Sequence, residues 1–505
     1  MSFSAYAQID HVGSPLSWNI SQAWIDDSNW ETLPAINVSN LLLEDESEMA
    51  DKSLPFRFAY ASEVNFNFGN SGTWTNLHNG DRIWMLGIES AGAFSLGLSF
   101  SEFNLPPGAK LYIYTEDHHE FIGPFNSESN RSTQLTTPPV HDDRIIVEYY
   151  EPYAYRGDGN IQIAYASHAY RNLLSWNELD ETRCLEMIDV ESADSRIRNA
   201  SSSVLMMMVD NGQRIATGTL LNNTSNDATP YLITASSALM GNPFGWVFLF
   251  DVAGTGCFSE NTSCWSAAVC GAQVMKTDTE NGTALLRLRN SPRRNWLAYY
   301  SGWRLGISED NDSFQALHQS LGMPQSISEY SELMNPSSFQ GYNTISPAHG
   351  SDGGTFAGAI GSPLFDEDMN LVGVFLGGDA ECAGDGADHF APFDASWLKY
   401  KNYLDPFSLA PDRLEGIYPQ MDNTQQDERP FRIFFFPNPA KEWIYVQNES
   451  DEVITDIRIY DASGRLMRSF KPLTPLVDLS NLPEGLYNIT FISDGAAQSQ
   501  KLLIR

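Results

Sequence analysis

Cysteine is scarce in this chain of 505 residues. Only five occur, and they lie at Cys184, Cys257, Cys264, Cys270 and Cys382. No pair of them has the spacing of a zinc site with histidines nearby, so we expect neither a metal ion nor another cofactor. In an exported protein such cysteines form disulfides, and an odd number leaves one thiol over.

Positive charge and long apolar runs are also lacking. The chain has 30 Lys and Arg against 64 Asp and Glu, which gives a net charge of −34. Nucleic acids and anionic membranes bind clustered positive charge, so both are disfavoured as partners. No apolar run reaches the ~18 residues of a spanning helix, so no transmembrane segment is predicted. We interpret the acidity as a solubility feature of an exported protein.

The first residues lack the charged and apolar regions of a signal peptide. Ala5-Tyr6-Ala7 before Gln8 nevertheless has the A-x-A form of a cleavage site. We interpret residues 1–7 as the remnant of a signal peptide. A chance run of small residues is the alternative.

Short alternating runs and frequent turn residues are what this chain has in abundance. It contains 37 Gly and 26 Pro, and its length exceeds what one hydrophobic core usually supports. The pattern predicts an all-β protein of several domains. Four alternating runs indicate a β-sandwich over residues 8–172. They lie at 94–100, 109–115, 143–152 and 160–171. The RGD triplet at 156–158 could be an adhesion motif, but we expect a tight turn there.

The middle segment, 173–405, also contains apolar runs typical of strands, at 247–252, 284–290 and 371–378. A polar, proline-containing linker is predicted over 406–430. Residues 431–505 then form a third, small β-domain, with short alternating strands and a hairpin turn near Asp461.

Three motifs of the middle segment occur in an informative order. They read TGTLLNNTSNDATPYLITASSAL at 217–239, NGTALLRL at 281–288 and GAIGSPLFD at 358–366. Their order and spacing resemble the histidine, aspartate and nucleophile loops of a chymotrypsin-like protease, and in particular the lysyl endopeptidase family. That resemblance implies a trypsin-like double β-barrel and a lysine-cleaving ancestry.

The resemblance places the three catalytic positions on residues that lack the chemistry. The nucleophile position is Ile360, the general base position is Ser237, and the orienting carboxylate position is Gly282. A triad needs a hydroxyl, an imidazole that takes its proton and an acid that holds the imidazole. No catalytic residue is therefore intact, and the expectation leans towards a protein that is not an enzyme.

The family's cysteine pattern is partly kept. One family disulfide has lost both ends, which here are Ala216 and Ala238, whereas another keeps both, at Cys184 and Cys382. Loss of both ends together supports the alignment, because a single orphan thiol would be reactive. The usual partner of Cys257 is absent, so Cys257 is left to pair with Cys264 or with Cys270.

The resemblance also points to five candidates for a substrate pocket. Asp388 aligns with the acid at the base of the family's lysine pocket, although a solvated loop carboxylate is the alternative. Trp303 aligns with a tryptophan beside the site, and Leu376 replaces its histidine stacking partner. Gly358 and Gly361 keep the glycines of the loop that forms the oxyanion hole.

Residues 431–505 resemble the C-terminal sorting domain of type IX secretion. FFFPNPAKEWIYV, ITDIRIYDASGRLMRS and VDLSNLPEGLYNITF carry the likeness. It implies an Ig-like β-sandwich that is handled by the secretion machinery, periplasmic transit in a Bacteroidetes-like bacterium, and release or attachment at the cell surface. Residues 8–172 resemble the prodomain or accessory region that precedes the peptidase in related proteins.

Three functions fit these observations. The leading hypothesis is a secreted pseudopeptidase that keeps the protease fold to bind a protein or peptide ligand. The first alternative is an active serine endopeptidase with relocated residues, for which the candidates are His318, His349, His389 and Ser362. The second is a surface adhesin or structural protein that uses the N-terminal sandwich.

We predict a disulfide between Cys184 and Cys382 in the mature protein. It would close a loop of about 198 residues and restrict the unfolded chain by about 4–5 kcal/mol on the loop-entropy model. Peptide mapping without reduction should recover the two cysteines in one linked fragment. Recovery of either residue as a free thiol would refute the pairing.

Overall fold

A computed structural model describes much of the chain. The described residues are 14–19, 30–50, 52–127, 129, 134–173, 184–189, 192–250, 267–293, 296–307, 313–349, 353–380, 386–419, 433–436, 440–441, 443–448, 456–461, 465–471, 476–480, 482–492 and 497–504. The chain divides into two compact units, 1–420 and 421–505. Within the described residues, no helix combines the length and apolarity needed to cross a membrane.

A two-sheet β-sandwich forms the first part of the larger unit. One sheet has the order β1-β5-β10-β7-β8 with β4 on β5, and the other has the order β3-β11-β6-β9. The strands of this part, of which β2 joins a different sheet, are β1 Trp30–Thr32, β2 Phe56–Arg57, β3 Ala59–Asn67, β4 Thr73–Asn76, β5 Arg82–Glu89, β6 Leu96–Asn104, β7 Lys110–Thr115, β8 Phe121–Phe125, β9 Leu135–Thr136, β10 Arg144–Glu151 and β11 Asn160–Ala169. This confirms the predicted sandwich.

The sandwich differs from the sequence pattern in one respect. Strand β10 was expected to be half-buried, but it is buried on both faces. Leu16 and Trp18 pack over the outer aromatic face of this sheet, and the buried carboxylate of Glu148 accepts hydrogen bonds from the Ser17 and Tyr114 hydroxyls. A preceding segment therefore covers a face that an isolated sandwich would expose. The RGD triplet lies in a turn, where Asp158 N–H donates to Tyr155 O at 3.0 Å.

Two β-barrels follow in the middle segment. The strands are β12 Glu186–Met187, β13 Val204–Val209, β14 Arg214–Leu221, β15 Tyr231–Ala235, β16 Val247–Leu249, β17 Ala268–Cys270, β18 Ala272–Asp278, β19 Thr283–Leu288, β20 Trp303–Arg304, β21 Ser313–His318, β22 Ser326–Phe339, β23 Tyr342–His349, β24 Pro363–Phe365, β25 Leu371–Gly378, β26 Asp388–Pro392 and β27 Arg413–Leu414. The described part of the larger unit contains three α-helices, α1 Val38–Met49, α2 Ser195–Ser201 and α3 Phe393–Leu404.

Each barrel closes in its own way. In the first, the order is β17-β16-β13-β14-β15-β19-β18, and β17 and β18 are halves of one strand bent at Gly271. That glycine has φ +79°, and a Cβ there would lie 2.8 Å from Arg289 Cδ, so the bend requires glycine. In the second, the order β24-β21-β22-β23-β26-β25 is closed by pairing of β24 with β25. Counted this way, both barrels are six-stranded, as the resemblance implied.

The barrel sheets extend beyond the predicted segment limits. Strand β2 pairs with β14, so the region before residue 173 adds a strand to the first barrel. Strand β27 pairs with β20, and Tyr300 and Ile417 exchange two backbone hydrogen bonds of 2.9 Å. The linker predicted from residue 406 is thus wrong at its beginning. The polar composition of 406–419 does not show that Arg413 and Leu414 form an edge strand of the second barrel's sheet.

The smaller unit is a β-sandwich with its own core. Its strands are β28 Ile433–Phe436, β29 Trp443–Asn448, β30 Asp456–Tyr460, β31 Leu466–Phe470, β32 Leu476–Asp478, β33 Gly485–Ile492 and β34 Ala497–Ile504. They form the orders β28-β29-β32 and β31-β30-β33-β34. Ile444, Ile459, Ile489 and Leu502 are fully buried between the sheets. Asp461 N–H donates to Arg465 O at 3.0 Å, which closes the predicted hairpin turn.

We predict that removal of residues 421–505 leaves the larger unit folded. The smaller unit has a separate core, and a unit with its own core can fold alone. Scanning calorimetry of the full chain should show two transitions, of which the truncated protein keeps the larger. Loss of cooperative unfolding in the truncated protein would contradict this. In the native host, the truncated protein should accumulate in the periplasm.

Candidate functional site

The nucleophile position is filled by a buried hydrocarbon. Ile360 precedes β24 and is 0% exposed, and it packs in one apolar cluster with Leu376, Ala235 and Ala238. Its carbonyl oxygen accepts the Thr217 N–H at 2.9 Å. The loop therefore anchors on the first barrel and directs Ile360 into the core between the barrels. An isoleucine in a dry cluster has neither a nucleophile nor room for a water.

The glycines around Ile360 keep the loop tight. Gly358 has φ +99° and Gly361 has φ +86°. A Cβ on Gly361 would lie 2.1 Å from Thr234 Oγ1, and the Gly358 carbonyl accepts the Thr217 hydroxyl at 3.0 Å. Among the described residues, the N–H groups of Gly358 and Ile360 have no acceptor. Two such donors are what an oxyanion hole contains.

The aspartate position is crowded by its neighbours. Gly282 has φ +73°, and a Cβ there would lie 3.1 Å and 3.2 Å from the Leu376 methyl carbons and 3.3 Å from Tyr342 Cδ2. Its carbonyl accepts the Ser236 N–H at 2.8 Å. Leu376, which belongs to the same apolar cluster as Ile360, thus packs against Gly282.

Asp278 holds the loop that carries Gly282. Its carboxylate accepts from Asn281 Nδ2 at 2.7 Å and from Lys399 Nζ at 2.6 Å. Burial opposes ionisation, yet the hydrogen bonds from Lys399 and Asn281 lower the pKa of Asp278. This carboxylate has a structural role, because its oxygens are occupied by the loop and by α3.

The base position lies at the surface. Ser237 is exposed in a short 3₁₀ helix, Ser236–Ala238, whereas the neighbouring Ala238 is buried with Ile360. The loops that carry the three aligned positions meet, because Ser236 N–H donates to Gly282 O and Ala238 shares an apolar cluster with Ile360 and Leu376. None of them supplies a base, an acid or a nucleophile.

Trp303 does not belong to this place. It is fully buried and donates from Nε1 to Asn222 O at 2.9 Å, and its ring centroid lies 4.7 Å from that of Trp397, with the rings tilted by 44°. Its apolar cluster includes Phe393 and other α3 residues and is separate from that of Ile360 and Leu376. The expectation that Trp303 lines a pocket beside Leu376 is therefore wrong. Trp303 instead packs in the core with side chains of α3, the helix that follows β26.

Asp388 begins β26 and is 1% exposed. Its Oδ2 accepts the Tyr330 hydroxyl at 2.7 Å and the Thr355 hydroxyl at 2.8 Å. Burial, and then the charge of Asp388, raise the pKa of Tyr330, which keeps that hydroxyl protonated as a donor. The alternative of a solvated loop carboxylate is wrong, because this acid is enclosed and held by two hydroxyls.

No sequence pattern predicted the cation beside Asp388. Lys52 lies just after α1, is 6% exposed, and places Nζ 3.5 Å from Asp388 Oδ1. The same ammonium donates to Thr355 Oγ1 at 3.2 Å and to the carbonyl oxygen of Ala380. A single lysine in a polar stretch has no pattern, and its partner lies 336 residues further along the chain.

The candidates for relocated catalysis are poorly placed. His318 is buried, with both ring nitrogens 2.9 Å from serine hydroxyls, those of Ser320 and Ser328. His389 stacks on Phe339 at 4.8 Å, and burial lowers its pKa. The side chain of His349 is outside the described residues. The Ser362 hydroxyl is fully buried and has no hydrogen-bond partner in the described part of the chain.

The remaining His389 contacts are long. Nδ1 lies 3.3 Å from the hydroxyls of Ser337 and of Thr344. The described residues also contain no group of three or more metal-ligating side chains.

The state of Cys270 bears on which cysteine pairs with Cys257. Cys184 is disulfide-bonded, whereas Cys270 is a free, buried thiol whose pKa burial raises to about 12. Pairing of Cys257 with Cys270 is therefore wrong. Cys257, Cys264 and Cys382 lie outside the described residues, so the pairing of Cys184 with Cys382 stays a prediction.

The barrels and the loops between them define a trypsin-like protease fold. Residues 182–391 match the family model "Lysyl endopeptidase, C-terminal domain", and residues 434–505 match "Secretion system C-terminal sorting domain". The chain therefore combines a lysyl endopeptidase-type domain with a sorting domain of type IX secretion.

Solved structures of other trypsin-like proteases are distantly similar. The HtrA-type protease AlgW with a tripeptide is 13% identical over 61% of this chain and 95% of its own, with a TM-score of 0.28. An inactive form of the Rv3671c protease is 11% identical over 42% and 96%, with a TM-score of 0.29. The Ser343Ala mutant of Rv3671c from M. tuberculosis H37Rv is 12% identical over 45% and 100%, at 0.29.

We predict that Gly282→Asp destabilises the protein more than Gly92→Asp. Both glycines have a left-handed φ, but a Cβ at Gly92 has nothing within 4 Å, whereas one at Gly282 meets Leu376 and Tyr342. Each change costs roughly 1–2 kcal/mol for the backbone conformation, and only Gly282→Asp adds crowding. Urea unfolding of the two variants checks this. Equal losses would mean that Leu376 moves aside freely.

Proposed function

We propose that this chain is a secreted pseudopeptidase, in which a lysyl endopeptidase-type fold is kept to bind a protein or peptide. One contrast carries the proposal. The place of the nucleophile is filled by Ile360, whereas the acid of the aligned lysine pocket, Asp388, is kept, buried and paired with an ammonium group. A domain that keeps the acid of the lysine pocket and lacks the nucleophile is expected to bind a peptide without cleaving it.

The chemistry of the filled centre supports this proposal. Acyl transfer needs a hydroxyl within reach of a base and a space for the substrate carbonyl beside the oxyanion donors. Ile360 occupies the aligned nucleophile position, Leu376 packs against the aligned acid position at Gly282, and both side chains are buried in one cluster. The donors of the loop remain, but no described group at this place attacks a carbonyl.

The alternative of relocated catalysis has less support. His318 is enclosed, and His389 has its Nδ1 between two hydroxyls at 3.3 Å. The alternative of an adhesin has no specific contact in its favour, since the sandwich is joined to the first barrel by β2. The sorting domain indicates export to the outside of the cell or to its surface.

We predict that the protein does not hydrolyse lysyl ester or amide substrates. Loss of one triad member already lowers turnover by several orders of magnitude, and here all three positions have changed. The residues 1–420 fragment and the full chain should both show the background rate. Lysine-specific turnover that a serine-directed inhibitor blocks would contradict the proposal.

A single restored residue should not rescue activity. Ile360→Ser supplies a hydroxyl without a base, so we expect neither burst kinetics nor labelling by a fluorophosphonate probe. The triple variant with Ser237→His and Gly282→Asp should give at most trace turnover, because Leu376 occupies the space of the acid. Ser362→Ala is the matched control. Probe labelling that Ser362→Ala abolishes would reveal a relocated nucleophile.

A further inference from the structure

Residues 14–19, the strap, lie across the outer face of one sheet of the sandwich. Leu16 and Trp18 pack on an apolar cluster of β5, β7 and β10 that is separate from the core between the two sheets. Among the described residues, the strap forms no strand and makes no backbone–backbone hydrogen bond with this sheet. Strand β10 is already paired with β5 and with β7. The strap is therefore a layer added to a sheet that is complete without it.

An ionisable side chain lies within this apolar face. Glu148 belongs to β10, the strand between β5 and β7, and its cross-strand neighbours there are Met85 and Tyr112. The side chain is fully buried under the strap. A buried carboxylate needs hydrogen-bond donors from the protein, because it has lost its hydration.

The strap supplies most of these donors. Glu148 Oε1 accepts from the Leu16 N–H at 2.7 Å and from the Ser17 N–H at 3.3 Å. Its Oε2 accepts from the Ser17 hydroxyl at 2.5 Å and from the Tyr114 hydroxyl at 3.0 Å. Two successive backbone N–H groups and one side-chain hydroxyl thus meet the carboxylate. Any short peptide with serine or threonine at this position offers the same three donors.

The indole of Trp18 makes the aromatic contacts of the strap. It is stacked on His118, with ring centroids 4.6 Å apart and an angle of 19° between the planes. It meets Tyr114 and Phe121 at nearly right angles, with centroids 5.6 Å away in each case. The fit is incomplete, because the buried Nε1–H has no acceptor in the part of the chain that the structure describes.

Two of the groups that the strap buries reduce the cost of opening it. Burial raises the pKa of Glu148, although hydrogen bonds from Ser17 and Tyr114 oppose the rise. The charged carboxylate is therefore better solvated by water than by the closed strap. The Trp18 N–H likewise regains a hydrogen bond when water reaches it. Segments outside a hydrogen-bonded sheet open locally at a lower free energy than the sheet itself, so we expect the strap to open while the sandwich stays folded.

We propose that the outer face of β5, β7 and β10 is a peptide-binding site, that the strap occupies it in the closed chain, and that a segment of another protein replaces the strap. The ligand class is a short peptide with an apolar residue, a serine or threonine and an aromatic residue in succession. This chemistry is that of Leu16, Ser17 and Trp18, which are seated on the face. The inference concerns the sandwich and does not rest on the pseudopeptidase proposal.

A single substitution in the full chain tests the site. Ser17→Glu places a second carboxylate against Glu148, and like charges in a buried site repel, so the strap should leave the face at mildly alkaline pH. The Tm of the larger unit should fall by only a few degrees. A labelled peptide of sequence SPLSWN, residues 14–19, should then bind at least roughly tenfold more tightly than it binds the wild-type chain, whose own strap competes. Fluorescence anisotropy measures both affinities.

Two further variants make the binding specific. Ser14→Glu is the matched control, because Ser14 is exposed in the same strap, and this variant should bind the peptide as weakly as the wild type. Addition of Glu148→Ala to Ser17→Glu should weaken binding roughly tenfold or more, since hydrogen bonds to a charged group are lost. Equal binding by Ser17→Glu and the wild type, or binding that survives Glu148→Ala, would overturn the proposal. Loss of cooperative unfolding in Ser17→Glu would overturn it too, because a strap that folding requires is not a ligand.

A second measurement uses the wild-type chain alone. In amide hydrogen exchange, the Leu16 and Ser17 amides should exchange at least about a hundredfold faster than the buried amides of β10. Equal protection would mean that the strap opens only when the sandwich unfolds, which contradicts the proposal. A wild-type dimer that Ser17→Glu dissociates would assign the face to the strap of a second copy, and the choice of another protein as partner would then be wrong.

Discussion

The apolar cluster that contains Ile360 and Leu376 is the constraint on which the site depends. The loop before β24 and the strand β25 bring these two side chains together with Ala235 and Ala238 of the first barrel. Interiors pack at nearly crystalline density, so such a cluster leaves no room for water or for a substrate carbonyl. The same leucine would crowd a side chain at Gly282, because a Cβ there would lie 3.1 Å from its nearest methyl carbon. One apolar cluster therefore fills the aligned nucleophile position and crowds the aligned acid position.

Electrostatic contacts connect the N-terminal segment to this centre. Asp45 joins Arg57 and Arg171, Arg214 joins Glu48, and Lys52 joins Asp388. Buried pairs of this kind cost desolvation, so they are weak arguments for stability as such. They determine where the N-terminal segment lies, because the charged groups at both of its ends must be paired at the same time. The N-terminal region is in this sense part of the site rather than a separate module.

Much of the fold could be predicted from the sequence, because strands and turns are encoded by local patterns. The apolar run at 371–378 matches β25, and the run at 284–290 overlaps β19. Strand β10 was predicted as half-buried because an alternating pattern says nothing of what covers the second face. The edge strand β27 was missed because two residues in a polar stretch carry no periodicity. Trp303 was misplaced because an aligned position does not say which core a large ring joins.

Residue identity alone shows that Ser237, Gly282 and Ile360, which stand at the aligned triad positions, lack triad chemistry, and it shows the sorting-domain pattern of 431–505. Folding cannot change this, because an isoleucine is not a nucleophile in any conformation. That Ile360 and Leu376 share a buried cluster, and that Asp388 is buried beside a lysine from the N-terminal region, follows instead from packing between distant elements. The pair of Lys52 and Asp388 spans 336 residues. Such a contact depends on how distant elements pack together, so no local sequence pattern predicts it.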